Sequence, residues 1–532
     1  IDSLCVRWRS GVRQGFEGLP ANRRYVIAEA AAGDQKPARA GETEPLFEKI
    51  EIDPEIAHTE SQFDDFELQP LLPNRQSTRG PAMAWGDFDG DGDPDLFLGG
   101  SAGIRGRLFR NRDGRLEVEP CVALADDAPS EDIDALWVDV DGDRDLDLVV
   151  ASGSNEFPIG DERYRDRLYL NGGDGNLVAS PSFSPPAQPS LALAAIDADG
   201  DGDLDIVASG GARPGEYPLS YTPVLLRNDG DGGFVQSPAG ALNRALLATD
   251  LLVADFDGDR KPELLATCEW GPVRLYSIEN GGFAERTEPW GLAERLGWWN
   301  AADAGDVDGD GDIDALVTNF GLNTKYKASP TRPELLYYAD FDDTGRAHIV
   351  EAKFEGDDCV PRRGFSCSGL AMPFLRDKLE TFHNFASSSL AELYSEPILQ
   401  GATRLRATCL EHGLLINQGG RFDFVPLPRR AQIAPSFGVA LGDLDGDGDL
   451  DVALAQNFFS PQRETGRMDG GLCAYLENSG RGEFELIAPS RSGICLGGDT
   501  RSVASVDLDG DRSPELVFAE NSGPVHIFKK ID

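Results

Sequence analysis

Histidine and methionine are scarce in this chain of 532 residues, with five and three copies, and 49 lysines and arginines face 92 aspartates and glutamates. The formal net charge is −43 and the pI near 4.4. Nucleic-acid binding is therefore excluded as a first reading, because it is driven by clustered Lys and Arg on phosphates. An anionic membrane surface is disfavoured for the same reason, and no apolar run is long enough to span a bilayer. The histidines (His58, His348, His383, His412, His526) show no HExxH spacing. The eight cysteines (Cys5, Cys121, Cys268, Cys359, Cys367, Cys409, Cys473, Cys495) form no CxxC pair, so zinc is not indicated. Cys359, Cys367 and Cys409 share one region and could form a disulfide in an oxidising compartment; for the other cysteines, buried thiols in strands are an equal reading. The chain begins at Ile1 without Met or a leader, which reads as a piece of something longer.

What is present is a repeat. Hydrophobic residues make up 40% of the chain, enough for a core, and one nine-residue acidic stretch recurs seven times. The copies are DFDGDGDPD from Asp87, DVDGDRDLD from Asp139, DADGDGDLD from Asp197, DFDGDRKPE from Asp255, DVDGDGDID from Asp306, DLDGDGDLD from Asp443 and DLDGDRSPE from Asp507. Successive starts lie 51 to 64 residues apart except for one gap of 137. Short runs rich in Val, Leu and Ile flank each copy, such as DALWV before and LVVA after, which reads as buried strand. A third run then ends in a Gly-rich turn before a fourth, as in LYLNGGDGNLV (168–178) and LLRNDGDGGFV (225–235). Four strands per unit, repeated, predict an all-β chain folded as a β-propeller of four-stranded blades. A parallel β-helix is excluded because its nine-residue repeats run in tandem.

Oxygen ligands at alternate positions suit a hard cation, and calcium takes six to eight of them. The expected side-chain ligands stand at positions one, three, five and nine. They are Asp87, Asp89, Asp91 and Asp95; Asp139, Asp141, Asp143 and Asp147; Asp197, Asp199, Asp201 and Asp205; and Asp255, Asp257, Asp259 and Glu263. The remaining copies supply Asp306, Asp308, Asp310 and Asp314; Asp443, Asp445, Asp447 and Asp451; and Asp507, Asp509, Asp511 and Glu515. Position seven would give a backbone carbonyl, from Asp93, Asp145, Asp203, Lys261, Asp312, Asp449 and Ser513. Glycine recurs at position four, whereas position six is Arg144, Arg260 or Arg512 in three copies and so reads as the less constrained corner. An EF-hand is excluded, since it needs flanking helices and a Glu at position twelve. Solvated acidic turns would explain one copy but not seven in one register. About seven bound calcium ions would bring the formal charge to about −29.

The D-x-D-G-D-x-x-x-[DE] loop between apolar strands resembles the FG-GAP or VCBS repeat of integrin α-like propellers, over roughly residues 80–532. The opening "IDSLCVRWRSGVRQGFEGLPANRRYVIAEA" resembles the closing segment of an ASPIC/UnbV domain, with Arg9 where Pro is usual. Together the two are similar to secreted proteins of the cartilage-acidic-protein type. The resemblance implies that each matching acid is a calcium ligand, that the protein is extracellular, secreted or cell-surface, and no established reaction. The domains expected are a remnant at 1–30, a linker at 31–45 and a propeller at 46–532. LFEKIEI (46–52) alternates like a strand and is placed to complete the last blade beside VHIFKK (525–530).

Between Asp306 and Asp443 the pattern breaks. DFDDTGRAH (340–348) keeps Asp340 and Asp342 but has Thr344 and His348 at positions five and nine, so weak or no calcium is expected there. Leu375, Leu379 and Phe382 at helical spacing predict one or two helices within an irregular insertion at 355–412. Eight blades are narrowly preferred over seven. Arg362, Arg363 and His383, with Trp298 and Trp299 upstream, are candidates for a ligand surface; Trp85 and Trp137 share one repeat offset and read as core. Two functions stand: a calcium-stabilised module that binds an extracellular protein or glycan, and a polysaccharide lyase or hydrolase using a propeller face. The binding module is preferred. A funnel holding His, Lys or Arg beside a carboxylate would favour the enzyme.

Overall fold

The structure, a computed structural model, describes residues 3–8, 10, 12–18, 25–29, 44–173 and 175–531. The expected linker at 31–45 lies outside them except for its last two residues. Strands Ser3–Arg7 and Arg13–Glu17 form a separate antiparallel hairpin. The chain from 47 onward is all-β, built of four-stranded antiparallel sheets with few helices.

Seven sheets carry the acidic loops. In chain order they lie within 83–119, 132–179, 193–237, 248–285, 302–426, 436–486 and 500–530, and are numbered 1 to 7 below. Sheet 4 gains a fifth strand, Leu296–Trp298. Sheet 7 has three strands of its own and takes its fourth from Phe47–Ile50, which pairs with Val525–Lys530 in the register Phe47↔Lys530. The two distant segments thus share one sheet, as the alternation in 46–52 predicts.

The second strands are buried along all or most of their length, fully so in Asp95–Leu98 and Asp147–Ser152. Successive strand side chains point to opposite faces, so one strand feeds two cores. Leu96 and Leu98 pack with Val517 and Ile527 of sheet 7, whereas Phe97 packs with Leu148 and Val150 of sheet 2. The same pairing runs through all seven: apolar clusters join sheet 1 to 2, 2 to 3, 3 to 4, 4 to 5, 5 to 6, 6 to 7, and 7 back to 1. Three aspartates at the starts of first strands reinforce the order. Asp134, Asp250 and Asp303 accept hydrogen bonds from Leu193, Ala302 and Leu441 N–H of the following sheet, each at 2.8 Å. Glycine permits the closest approach: a Cβ on Gly86 would stand 2.8 Å from Cγ of Trp137.

The irregular region is an eighth four-stranded sheet nested inside sheet 5, between Asp314–Val317 and Gly413–Asn417. Its strand order is Asp358–Pro361, His348–Glu355, Glu334–Ala339, Thr403–Ala407. The insertion therefore starts well before the expected residue 355, and its sheet differs from the other seven in that the last strand pairs with the first. Five short helices fill 365–401 instead of one or two. Leu375 and Leu379 are buried, and Phe382 is 67% exposed. The apolar core under this sheet takes in Trp270 and Trp298 from strands of sheet 4, with Leu71, Tyr217 and Phe458 from surrounding loops. In an antiparallel meander the connection after a second strand leaves from the end opposite the first-to-second loop. The nested sheet therefore emerges opposite the acidic loops.

Phe47 is 1% exposed and meets Tyr475 of sheet 6 edge-on at 5.1 Å. Phe47→Ala is expected to destabilise the protein by about 3–5 kcal/mol, measured by urea unfolding. A loss under about 1 kcal/mol, the level of a surface change, would show that the joining strand carries no stability.

Candidate metal centre

The acidic loops fold as the D-x-D-G pattern requires. The first-position carboxylate bridges the turn: Asp87 Oδ1 accepts from Gly90 N–H at 2.8 Å and Oδ2 from Gly92 N–H at 2.9 Å. The fifth-position carboxylate accepts from the seventh-position N–H in all seven copies, at 2.8–3.1 Å. Position four is left-handed, with φ between 72° and 82°. Position six is left-handed too, in Gly92 (98°) and equally in Arg144 (79°), Arg260 (71°) and Arg512 (68°). The expectation of a less constrained sixth position is therefore corrected. The arginines there hold a backbone conformation that costs a non-glycine residue about 1 kcal/mol or more.

The structure gathers positions one, three and nine. In the copies from Asp87, Asp139, Asp197 and Asp306, one oxygen from each of these three carboxylates lies within 4.8 Å of the other two. In the copy from Asp255 the group is Asp255, Asp257 and Asp259. Position five (Asp91, Asp143, Asp201, Asp310) stands outside the first four groups. Position nine is the buried anchor. Asp95 accepts from Phe88 N–H of its own loop at 3.2 Å and from Asn111 N–H of the third strand at 2.7 Å. Burial pushes these carboxyls up, to about 7 for Asp95 and Glu263 and about 6 for Asp147, Asp314 and Asp451. Backbone N–H donors pull the other way and do not offset it. Oxygen-only donors, three gathered carboxylates and a buried anion short of positive charge fit a hard divalent cation.

The third strand supplies a residue that the sequence reading passed over. Asn111, Asn171, Asn228, Asn417 and Asn478 each stand two residues beyond the partner of position ten. Each donates its side-chain N–H to the position-two carbonyl of the preceding sheet's loop: Leu508, Phe88, Val140, Phe256 and Val307, at 2.6–2.8 Å. Each backbone N–H donates to the ninth-position carboxylate of its own loop. The equivalent positions in sheets 4 and 7 are Ile278 and Lys530, and these are the two sheets whose position nine is Glu. The signal was in the sequence, as the Asn two to four residues ahead of a turn Gly in RNRDG, LNGGDG, RNDGDG, INQGG and ENSGRG.

The residue just before the asparagine faces the loop and differs from copy to copy. Arg110 pairs with Asp89 and Arg227 with Asp199. In sheet 7, Lys529 Nζ meets Asp509 and lies 2.9 Å from Asp511 and 3.3 Å from Glu515. The degenerate loop in the nested sheet keeps the turn, with Asp340 accepting from Thr344 N–H at 3.2 Å and from Gly345 N–H at 2.7 Å. Its position nine is a buried histidine, His348, in place of an acid.

The proposed ligand surface on the insertion is not formed. Arg362 pairs with Glu334 over the Tyr326 ring, and Arg363, 4% exposed, pairs with Glu351. Trp298 and Trp299 are core residues and only His383 is exposed. Trp137 stacks on Phe88 at 5.5 Å, as a packing role requires. All eight cysteines are free thiols, Cys359, Cys367 and Cys409 among them, so the region at 359–409 holds no disulfide.

Fold and loops together define a repeat protein of four-stranded β-sheets with an acidic, cation-compatible loop between the first two strands of each unit. The model of the FG-GAP-like repeat matches residues 87–150, 139–208 and 255–317. Residues 1–30, read above as ASPIC/UnbV-like, lie in none of these segments. A search of curated proteins finds no match. Among solved structures, the chain is similar to the V. cholerae biofilm matrix protein Bap1, at 12% identity over 92% of each chain with a TM-score of 0.38. Among the described residues no helix is long and apolar enough to cross a membrane.

Proposed function

We propose that the chain is a seven-bladed, calcium-stabilised β-propeller that acts outside the cell as a binding or adhesion module for a protein or glycan. The observation that carries this is the cyclic order of contacts, sheet 7 packing back onto sheet 1, with an acidic loop at the same place in each sheet. The nested sheet is then an insertion in the fifth blade rather than an eighth. Calcium would be held by the carboxylates at positions one, three, five and nine and the carbonyl at seven, pinning each first hairpin. Extracellular modules bind calcium at roughly 0.1–1 mM, which suits external calcium and not resting cytosol. A screen against glycans and surface proteins, with and without calcium, tests the module; calcium-dependent capture supports it. A polysaccharide-degradation assay run beside it tests the enzyme. Activity there, without capture, would overturn the binding reading.

The loops should differ in affinity. Lys529 places an ammonium among three acids of the seventh loop, where a cation would otherwise sit. The wild-type protein is therefore expected to fill this loop last in a calcium titration, and Lys529→Gln to tighten it by roughly ten-fold. An unchanged titration in K529Q would refute the assignment.

A further inference from the structure

The first strands of six of the seven sheets, with Leu191 just ahead of the first strand of sheet 3, surround a cavity of about 350 Å³, at their ends away from the acidic loops. Its roof is the segment 74–81, together with Trp298, Phe320 and Phe458. This roof is fixed from behind: the fully buried Asp65 accepts from Gln76 N–H at 2.9 Å, Ser77 N–H at 3.1 Å and Ser77 Oγ at 2.6 Å.

Three arginines line the cavity, Arg75, Arg79 and Arg501. Arg79 is held by Gln76 at 2.6 Å and Glu269 at 2.8 Å through one terminal nitrogen, and its Nε–H has no partner. Arg501, 4% exposed, lies over the rings of Phe437 (4.2 Å) and Phe458 (4.9 Å) and reaches Asp499 at 3.1 Å; its Nε–H is also unpartnered. Beside them Asn74 Oδ1 and Thr78 Oγ1 are buried without partners. Buried polar atoms are almost always satisfied, so four unsatisfied ones on one cavity wall need an explanation.

The lining acids offer little in return. Asp134 accepts from Ala135 and Leu193 N–H, Asp250 from Leu251 and Ala302 N–H, and Glu269 from Arg79 and the Tyr217 hydroxyl. The unpartnered atoms are thus two guanidinium N–H donors, on arginines each paired with one carboxylate, together with one amide acceptor and one hydroxyl. A metal cation does not match that set. A flat aromatic ligand does not either, since Trp298 is already stacked on Phe320 at 4.0 Å.

We infer that this cavity binds a small acidic sugar, its oxyanion against Arg79 and Arg501 and its hydroxyls on Asn74 and Thr78. The volume falls in the range of small-molecule sites and admits one sugar unit rather than a polymer. Arg75, 30% exposed, and Thr78 also line a neighbouring groove bounded by 60–64, Phe459 and Arg467, which gives the site a side toward solvent. The assignment rests on the binding-module reading and gives it a ligand class.

The test is calorimetry on the calcium-saturated full chain with glucuronate, glucose 6-sulfate and glucose. At least one anion should bind one-to-one, with glucose weaker by roughly ten-fold or more; which anion binds tells carboxylate from sulfate. Arg501→Gln should weaken the anion by a similar factor. Because Arg501 is deeply buried, Asn74→Asp serves as a second variant: it places a negative charge at the hydroxyl end and should also weaken binding, with the melting temperature as the folding control. Equal affinity for glucose, no uptake of either anion at about 10 mM, or wild-type affinity in both folded variants would overturn the assignment. A protein that captures partners in the screen yet takes up neither anion overturns the cavity alone. One that takes up the anion but captures no partner overturns the adhesion reading instead.

Discussion

Chelation with EDTA is expected to lower the melting temperature by about 3–10 °C, with recovery on adding excess calcium, followed by circular dichroism or calorimetry. The size follows from linkage. An ion at about 1 mM that binds a folded site with a dissociation constant of roughly 0.1–1 mM stabilises it by about 0.4–1.4 kcal/mol. Six or seven such sites contribute several kcal/mol, and for a chain of this length each kcal/mol moves the midpoint by about 1 °C. Repulsion adds to this, since at least five of the loops bring three carboxylates together and all seven bury the ninth-position anchor. Magnesium should replace calcium poorly, because it demands octahedral geometry and dehydrates reluctantly. A melt that EDTA leaves unchanged would remove calcium from the account and leave the loops as acidic turns.

The parts of the fold that were legible in the sequence are those set by short-range pattern. Apolar runs of four or five residues on each side of D-x-D-G fix the first hairpin of every sheet, and the turn glycines fix the second. The alternation of 46–52 even placed Phe47–Ile50 beside Val525–Lys530. What was not legible depends on neighbours far away in the chain. Arg362 and Arg363 looked like an exposed basic pair because their partners, Glu334 and Glu351, lie on strands that sequence spacing does not bring near. Trp298 and Trp299 looked like binding aromatics for the same reason. The cavity was invisible, since its walls are a few residues at a time from segments spread over the whole chain and its arginines, Arg79 and Arg501, are more than 400 residues apart. The nested sheet was half-seen: DFDDTGRAH announced its first loop, but nothing local shows that Thr403–Ala407 pairs with the first strand rather than the third.

The asparagine ladder gives the sharpest mutational expectation. Asn417→Ala should destabilise the protein by about 3–5 kcal/mol in urea unfolding with calcium present. The fully buried side chain donates to Phe256 O of sheet 4 at 2.7 Å and to Ile313 O of its own loop at 3.1 Å, and it accepts from Gly420 N–H at 3.1 Å. Alanine leaves two carbonyls without their donor where water does not replace it, and each such loss costs about 1–3 kcal/mol. In sheets 4 and 7 the asparagine is absent and position nine is one methylene longer, Glu263 or Glu515. Each still reaches its own loop, accepting from Phe256 N–H at 2.9 Å and from Leu508 N–H at 3.0 Å. The longer acid and the missing asparagine therefore form a matched pair. Glu263→Asp alone should lose about 1–2 kcal/mol, and adding Ile278→Asn should recover much of that loss, although Ile278→Asn alone puts an amide on an apolar neighbour and destabilises. Simple additivity of the two changes would show that they are independent, and that the asparagine does not set the length of the acid it faces. Recovery in the double variant would instead make the third-strand residue a part of each acidic loop, so that every loop is completed by its own sheet and tied through its asparagine to the loop before it.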